Sequence, residues 1–183
     1  NPFLGGTNPG PGVTFYLDDM ELFREKTKKD SGGAAMNTKT CVPSFCKDEP
    51  RIDGILDDSC WTRAEKLGFE MTTVLLSCND RYLYAGFACK EPEFSRIKSR
   101  IKDHDGGLWT DDCVEVFLAP HKTIRPYYQL IVNSLGTIYE GEMMDRKWNP
   151  SGWKAAARTA KTEWTVEIAI PFASLGPGLG FAE

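Results

Sequence analysis

The feature that most constrains the fold is the alternation of apolar and other residues in four separate stretches. These stretches are "RYLYAGFAC", "CVEVFLA", "YYQLIVNS" and "EWTVEIAIPF". Successive side chains of a strand point to opposite faces, so this pattern is typical of strands that bury one face. Turn signals separate the stretches, at residues 78–80, 90–93, 119–126 and 134–136. The sequence therefore predicts an all-β fold, an antiparallel β-sandwich of the jelly-roll or immunoglobulin-like kind with short helical turns.

Two local segments need separate treatment. The alanines of "WKAAARTAK" (residues 153–161) suit a helix. A strand is nevertheless predicted there, because the run from Trp164 follows at hairpin distance. Earlier in the chain, Asp57 or Asp58 with Ser59 is expected to cap a short helical turn, from which Trp61 faces inward.

The beginning of the chain has a different composition from the rest. Residues 13–23 have the pattern of a strand, and residues 24–40 are polar, basic and glycine-containing, as linkers are. We therefore expect an N-terminal strand or the remnant of a preceding module in residues 1–25, and a linker in residues 26–40. The β-sandwich is then expected to occupy residues 41–183. The first strand either docks onto this domain or ends another one.

Composition limits the partners. The net charge of −4 argues against nucleic acid, and no apolar run approaches the roughly 20 residues that cross a bilayer. The chain starts at Asn1 and shows no signal peptide, so we expect a mature or excised part of a larger multidomain protein.

The chain has six cysteines, at positions 41, 46, 60, 78, 89 and 113. The absence of a CxxC pair and the presence of only two histidines argue against a structural zinc site. The even number of cysteines favours a secreted protein with some disulfides, in pairings that the sequence leaves open. The alternative is that Cys89 and Cys113 are simply small residues buried in strands.

An acidic cluster lies in "GGLWTDDCVEVFLAP" (residues 106–120). Glycoside hydrolysis needs two carboxylates about 5 to 9.5 Å apart across the scissile bond. Asp111, Asp112 and Glu115 come instead from one turn and one strand. The chain also lacks a GxSxG nucleophile motif. The sequence therefore predicts a protein that is not an enzyme.

The same region could hold a metal. Asp103, Asp105, Asp111 and Asp112 surround a glycine loop, and calcium takes six to eight oxygen ligands. A structural Ca²⁺ is one interpretation. The other is a solvated loop in which Asp111 or Asp112 accepts hydrogen bonds from backbone amides.

A third interpretation is a sugar-binding surface. The apolar faces of sugars stack on aromatic rings such as Trp109, and their hydroxyls need polar partners. Glu115, Gln129 and Asn133 occupy equivalent faces of two strands and would converge if these strands pair. The alternative is an exposed face without a ligand.

The motifs "IDGILDDSCW", "YLYAGFACKEP", "WTDDCVEVFL", "YYQLIVNSLGTIYE" and "WTVEIAIPFASLG" follow in this order. Together they resemble the family 9 carbohydrate-binding module over about residues 41–176. The resemblance implies an antiparallel β-sandwich that is non-catalytic and often attached to secreted polysaccharide-degrading enzymes such as xylanases. It also implies binding at the ends of glucan or xylan chains, with the terminal sugar held between two tryptophans and structural calcium nearby.

The site residues follow from this resemblance by position. Trp109 corresponds to the first tryptophan, Glu115 to the strand glutamate, and Gln129 and Asn133 to the family's QxxxN strand. The ligand-binding branch has an arginine where this chain has Ile131.

The family's second tryptophan comes after the last residues of this sequence. Trp148 is the best substitute, Tyr127 could contribute, and Trp61 and Trp164 are expected in the core. The resemblance predicts a secreted module that targets an attached enzyme to glucan or xylan-type polysaccharide or oligosaccharide. The alternatives are a structural or interaction module that has lost sugar binding, and a haem-binding relative, which the isolated Met143, Met144 and His104 do not favour.

Overall fold

The computed structural model describes residues 14–16, 43–69, 71–119, 127–143 and 145–176. Ten strands lie in these ranges: β1 (Thr14–Tyr16), β2 (Ser44–Phe45), β3 (Glu65–Gly68), β4 (Thr72–Cys78), β5 (Tyr82–Lys90), β6 (Cys113–Ala119), β7 (Tyr128–Asn133), β8 (Ile138–Glu142), β9 (Lys154–Thr159) and β10 (Glu163–Pro171). The helical segments there are α1 (Ser59–Arg63) and the 3₁₀ turns Phe94–Arg96, Leu108–Thr110 and Phe172–Ser174. None of these is long and apolar enough to cross a membrane.

The strands form two sheets. One sheet has the order β1-β6-β7-β8, and the other has the order β2-β4-β5-β10-β9, with β3 also paired to β4. The pairings are antiparallel except that of the short β2 with β4. The predicted all-β sandwich is confirmed.

The core lies between the sheets and follows the alternation of the sequence. Phe87, Val116, Leu130 and Val166 are almost inaccessible to solvent and belong to one large apolar cluster. Trp164 is part of the same cluster. Burial of apolar side chains is the main term that favours folding, so this cluster holds the sheets together.

Strand β9 forms where alanine propensity suggested a helix. Its residues pair with β10 in antiparallel register, from Trp164 opposite Thr159 to Ala169 opposite Lys154. Ala155 and Ala157 pack against the main core cluster. The hairpin pairing therefore outweighs the helix propensity of alanine, as tertiary contacts often do.

The outer side of the larger sheet carries a second apolar layer. Trp61 is buried there against Leu75 and Tyr84. Asp58 occupies the predicted cap position of α1, but its side chain makes no helix-cap bond and accepts the backbone N–H of Arg51 at 2.9 Å.

Under this layer lies Glu167, which is fully buried. Its carboxylate accepts hydrogen bonds from Trp61 Nε1 at 2.6 Å and from the backbone N–H groups of Asp53 at 2.8 Å and Gly54 at 2.7 Å. Burial raises the pKa of Glu167, and these three donors lower it less than burial raises it. The carboxylate thus ties the segment before α1 to β10.

Strand β1 pairs with the edge of β6, with Phe15 opposite Leu118. The rest of the predicted N-terminal strand and the predicted linker 26–40 lie outside the described residues. The proposed boundaries 1–25, 26–40 and 41–183 therefore stay predictions.

The cysteines within the described residues are free and buried; they are Cys46, Cys60, Cys78, Cys89 and Cys113. Burial raises the pKa of the Cys60, Cys89 and Cys113 thiols to about 12 and that of Cys78 to about 11. The predicted disulfides are not present among these five, and Cys41 lies outside the described residues. Cys89 and Cys113 match the alternative of small buried strand residues.

Candidate functional site

The candidate site is the outer face of the four-stranded sheet, the side turned away from the core. We define this outer face by side chains of β6, β7 and β8, namely Glu115, Phe117, Gln129, Ile131 and Tyr139. Strands β6 and β7 pair, which is the condition for the expected convergence of their polar side chains. Gln129 Nε2 donates a hydrogen bond to Glu115 Oε2 at 3.1 Å, so these two predicted residues do converge. Burial raises the pKa of Glu115, while the bond from Gln129 lowers it.

Trp109 lies on the 3₁₀ turn just before β6. Its neighbour Leu108 is fully buried and packs with Ile131 and Tyr139, which fixes the turn on the outer face. Trp109 itself remains 42% exposed, and its ring meets that of Tyr139 edge-on at 6.2 Å between centroids. The arrangement presents an aromatic ring to solvent on a firmly anchored turn.

Arg146 completes this corner. The carbon of its guanidinium lies 5.5 Å from the ring centroid of Trp109 and 5.7 Å from that of Tyr139. Such distances are within the range of cation–π attraction. The sequence did not predict Arg146 or Tyr139 as site residues, since both lie far along the chain from Trp109 and no motif spacing links them.

Gly141 makes room for Tyr139. A Cβ on Gly141 would lie 2.9 Å from the Tyr139 hydroxyl, closer than such atoms pack. The absence of a side chain at position 141 therefore allows the ring of Tyr139 to lie over the sheet.

Ile131 lies at the position where the family resemblance implies an arginine. It is fully buried, packed with Leu108, Cys113 and Tyr139. On this face the cation comes instead from Arg146, which enters from the segment after β8.

Asn133 is fully buried, unlike Gln129. Its Nδ2 donates to the Ile101 carbonyl at 2.8 Å and to Asp111 Oδ2 at 3.1 Å. Its Oδ1 accepts from the backbone N–H groups of Leu135 at 3.1 Å and Thr137 at 2.9 Å. The geometry therefore gives Asn133 an anchoring role in place of the expected direct sugar contact.

The two predicted aromatic partners of Trp109 lie in different places. Tyr127 is half-buried, and its ring is 6.1 Å from that of Phe117 on the outer face. Trp148 packs against the core cluster, with its ring 4.6 Å from that of the core residue Tyr128. Trp148 thus lies on the opposite side of the sheet from Trp109, and the two do not form facing walls.

The four aspartates predicted as calcium ligands separate into different roles. Asp111 Oδ2 accepts the backbone N–H groups of Arg100 and Ile101, both at 2.8 Å. Asp112 Oδ2 accepts that of Lys98 at 2.7 Å, and burial raises the pKa of Asp112. These bonds order the loop, as the alternative interpretation expected.

Asp103 and Asp105 do not form one group of ligands with Asp111 and Asp112. Within the described ranges, the group of potential ligands that meets within 4.8 Å is His104, Asp105 and Glu140. The described geometry therefore does not fit a calcium site built from the four aspartates.

Comparison with known proteins agrees with the fold and the motifs. The family model described as carbohydrate-binding family 9 matches residues 79–154, which include Trp109, the outer face and Arg146. No curated protein matches the sequence.

Solved structures give a second comparison. Two structures of a family 9 module from Caldicellulosiruptor kristjanssonii, with cellotriose and with glucose, have TM-scores of 0.50 and 0.51 at 16% and 17% identity. Each alignment covers 70% of this chain and 66% of the other, so this chain spans slightly less than two thirds of those modules. A structure from Bacteroides uniformis has a TM-score of 0.53 at 17% identity, covering 73% of this chain and 75% of the other.

At these identities the solved structures support the fold alone. The family model, however, matches the strands and the turn that build the outer face. The segment 79–154 therefore resembles carbohydrate-binding family 9.

Proposed function

We propose that the outer face binds a carbohydrate and that the domain is non-catalytic. The observation that carries the proposal is Trp109, a large aromatic residue that is 42% exposed on an anchored turn. Sugar rings offer apolar C–H faces that stack on such a side chain. An isolated exposed tryptophan would be unremarkable, but this one lies beside a guanidinium, at the edge of a face that also carries the Glu115–Gln129 pair.

Each neighbour has a role in this proposal. Trp109 provides the platform, and Arg146 beside it donates hydrogen bonds to hydroxyls. Glu115 accepts from a hydroxyl while Gln129 holds its carboxylate in place. Charge-assisted bonds of this kind are stronger than those between neutral groups. Tyr127 lies at the margin of the same face and extends the contact surface.

The pairing of Glu115 supports a binding role over hydrolysis. Its carboxylate accepts a hydrogen bond from the amide of Gln129, whereas glycosidases use two carboxylates across the scissile bond. Asn133 and Asp111 contribute indirectly by holding the loop that leads to Trp109.

The solved relatives suggest the class of ligand and the setting. The Caldicellulosiruptor modules were solved with cellotriose and glucose. By analogy we propose β-linked glucan or xylan-type chains as ligands of this domain. We further propose that it is secreted as part of a larger protein and directs an attached polysaccharide-degrading enzyme to these chains.

Calorimetric titration with cello- and xylo-oligosaccharides tests the proposal. Trp109→Ala should lower the affinity at least tenfold, which corresponds to about 1.4 kcal/mol. The matched control is Phe45→Ala, since Phe45 is also exposed but lies on β2 of the other sheet. Equal affinities of the parent and Trp109→Ala would show that the site is elsewhere.

Two observations favour a second function. Ile131 is fully buried at the position of the family's arginine, and Asn133 is committed to internal bonds. A domain that kept the fold and now serves as an interaction module would have these features. Absence of binding across a broad glycan array by a stably folded domain would support that function over sugar binding.

A further inference from the structure

A cluster of His104, Asp105 and Glu140 lies beside the outer face but is not part of it. His104 Nε2 lies 3.0 Å from both carboxylate oxygens of Glu140 and 3.8 Å from Asp105 Oδ1. Glu140 is buried, whereas His104 is about half exposed. The cluster is thus rigid on one side and open to an entering ion on the other.

The distances suit a small tetrahedral ion. Zinc binds imidazole nitrogen and carboxylate oxygen at about 2.0–2.2 Å, so tetrahedral ligand atoms lie about 3.3 Å apart. The separations of 3.0 and 3.8 Å bracket this edge length. Three protein ligands leave a fourth position for water.

A separate observation indicates that one oxygen of the cluster lacks a hydrogen-bond partner. Asp105 Oδ1 is inaccessible to solvent and accepts no hydrogen bond within the described structure. Buried polar atoms of native proteins almost always have a partner, because burying one without a bond costs about 1–3 kcal/mol. A cation between Asp105 and His104 would satisfy this oxygen.

The donor set decides the class of ion. Imidazole is a good ligand for zinc and related transition metals, whereas calcium takes six to eight oxygens. One imidazole nitrogen with two carboxylates therefore fits a zinc-like ion better than calcium. The lack of a CxxC pair and the small number of histidines argue against a structural zinc site built from cysteine and histidine, whereas this set has one histidine and two carboxylates.

The cluster is also connected to the turn of Trp109. Arg146 Nη1 donates to the Asp105 carbonyl at 3.2 Å, and the same guanidinium lies over Trp109. Glu140 follows Tyr139 in β8, while His104 and Asp105 belong to the loop that precedes Trp109. An ion held here would join that loop to β8.

We propose that His104, Asp105 and Glu140 bind one divalent transition-metal ion of the zinc class, which fixes the loop before Trp109 to strand β8. Metal binding itself does not depend on the proposed sugar binding, so either can fail without the other.

The test uses the full, untagged chain after removal of metal with EDTA. Titration with Zn²⁺ should show one site and raise the melting temperature, and Co²⁺ should give the absorption of a tetrahedral complex. His104→Gln should lower the Zn²⁺ affinity at least tenfold, and Glu140→Gln should do the same. Since Glu140 is buried and its variant could fail to fold, the half-exposed His104 keeps the test decisive.

The matched control is Asp103→Asn, an exposed neighbour outside the cluster, which should bind Zn²⁺ like the parent. Absence of Zn²⁺ binding would overturn the proposal and leave an ion pair between His104 and Glu140. Undiminished binding in His104→Gln would place the ion elsewhere, for example on a thiol. Preference for Ca²⁺ over Zn²⁺ would overturn the class of ion.

Amide hydrogen exchange tests the effect on the loop. Zn²⁺ should slow exchange in residues 101–111 of the parent and not in His104→Gln. If Zn²⁺ binds but exchange in residues 101–111 is not slower, the ion does not fix the loop to β8.

Discussion

Among single residues, Glu167 shows how a buried carboxylate can stabilise one part of a fold. Three donors from Trp61, Asp53 and Gly54 converge on its two oxygens. A glutamine at this position has one accepting oxygen and one donating nitrogen. It would therefore face at least one of these donors with another donor.

We predict that Glu167→Gln lowers the free energy of unfolding by about 1–3 kcal/mol, because buried donors lose their acceptor. The measurement is urea denaturation. Glu163→Gln is the control, since Glu163 is exposed at the start of the same strand and should change little. Equal stabilities of Glu167→Gln and the parent would show that the three bonds add no net stability.

The stability difference between the parent and Glu167→Gln should also depend on pH, and the sign of this dependence follows from the pKa of Glu167. Burial raises the pKa of Glu167 in the folded state above its ordinary value. The stability that the protonated carboxyl contributes is fully present below the unfolded pKa and is lost as pH rises through the folded pKa. The stability difference between the parent and Glu167→Gln should therefore shrink from acidic to neutral pH. A difference that grows with pH would contradict the raised pKa.

At the scale of strands, β4 and β8 explain where alternation fails as a signal. Strand β4, "TTVLLSC", contributes Val74 and Leu76 to the main core and Leu75 to the layer around Trp61. Because both faces are buried, its apolar residues run without interruption, and alternation did not predict it as a strand. Strands covered on both faces have this pattern.

Strand β8 has the opposite composition. Its sequence "IYEGE" contains two glutamates and a glycine, which are uncommon in strands. Tyr139 and Gly141 lie on the same face of β8. A substitution at Gly141 can therefore test whether the ring of Tyr139 needs the space that this glycine leaves.

We predict that Gly141→Ala weakens sugar binding several-fold, because the new Cβ would displace the Tyr139 hydroxyl, 2.9 Å away, and with it the support of Arg146 and Trp109. Calorimetric titration measures the affinity, and thermal denaturation checks the fold. Gly68→Ala is the matched control, since a Cβ on this strand glycine would have no neighbour within 4 Å. The same affinity in both variants would show that the position of Tyr139 does not affect the ligand.

For the whole molecule, the cysteines indicate what holds the sandwich together. The five described cysteines are buried and unpaired. They lie in the core between the two sheets and in the apolar clusters on the outer sides of the sheets. A chain of 183 residues can bury enough apolar surface to fold without cross-links.

We predict that these five thiols do not react with Ellman's reagent in the native protein and react fully in guanidinium. The thiolate is the reactive form, and burial raises the pKa of three of them to about 12. Cys41→Ser removes the sixth cysteine and should leave five reactive thiols in the denatured chain. Fewer than five without a reductant would reveal a disulfide.

The sequence alone was sufficient for the features that depend on neighbouring residues. Period-two alternation predicted β5, β6, β7 and β10, and hairpin spacing predicted β9. The motif order predicted the resemblance to the family whose model matches residues 79–154, and Trp109 was expected outside the core, where it lies. These features could be predicted because a strand's buried face repeats every second residue, whatever the rest of the chain does.

The tertiary structure decided which side chains meet. Arg146 bonds to a carbonyl 41 residues away, and His104 and Glu140 are 36 residues apart. Asn133 matched a binding motif by spacing, yet the loop carrying Asp111 closes over it. Contacts of this kind depend on how two loops cross a sheet, which no local period records. For that reason the sequence predicted the strands and the platform residue, while the neighbours of Trp109 emerged only from the packed fold.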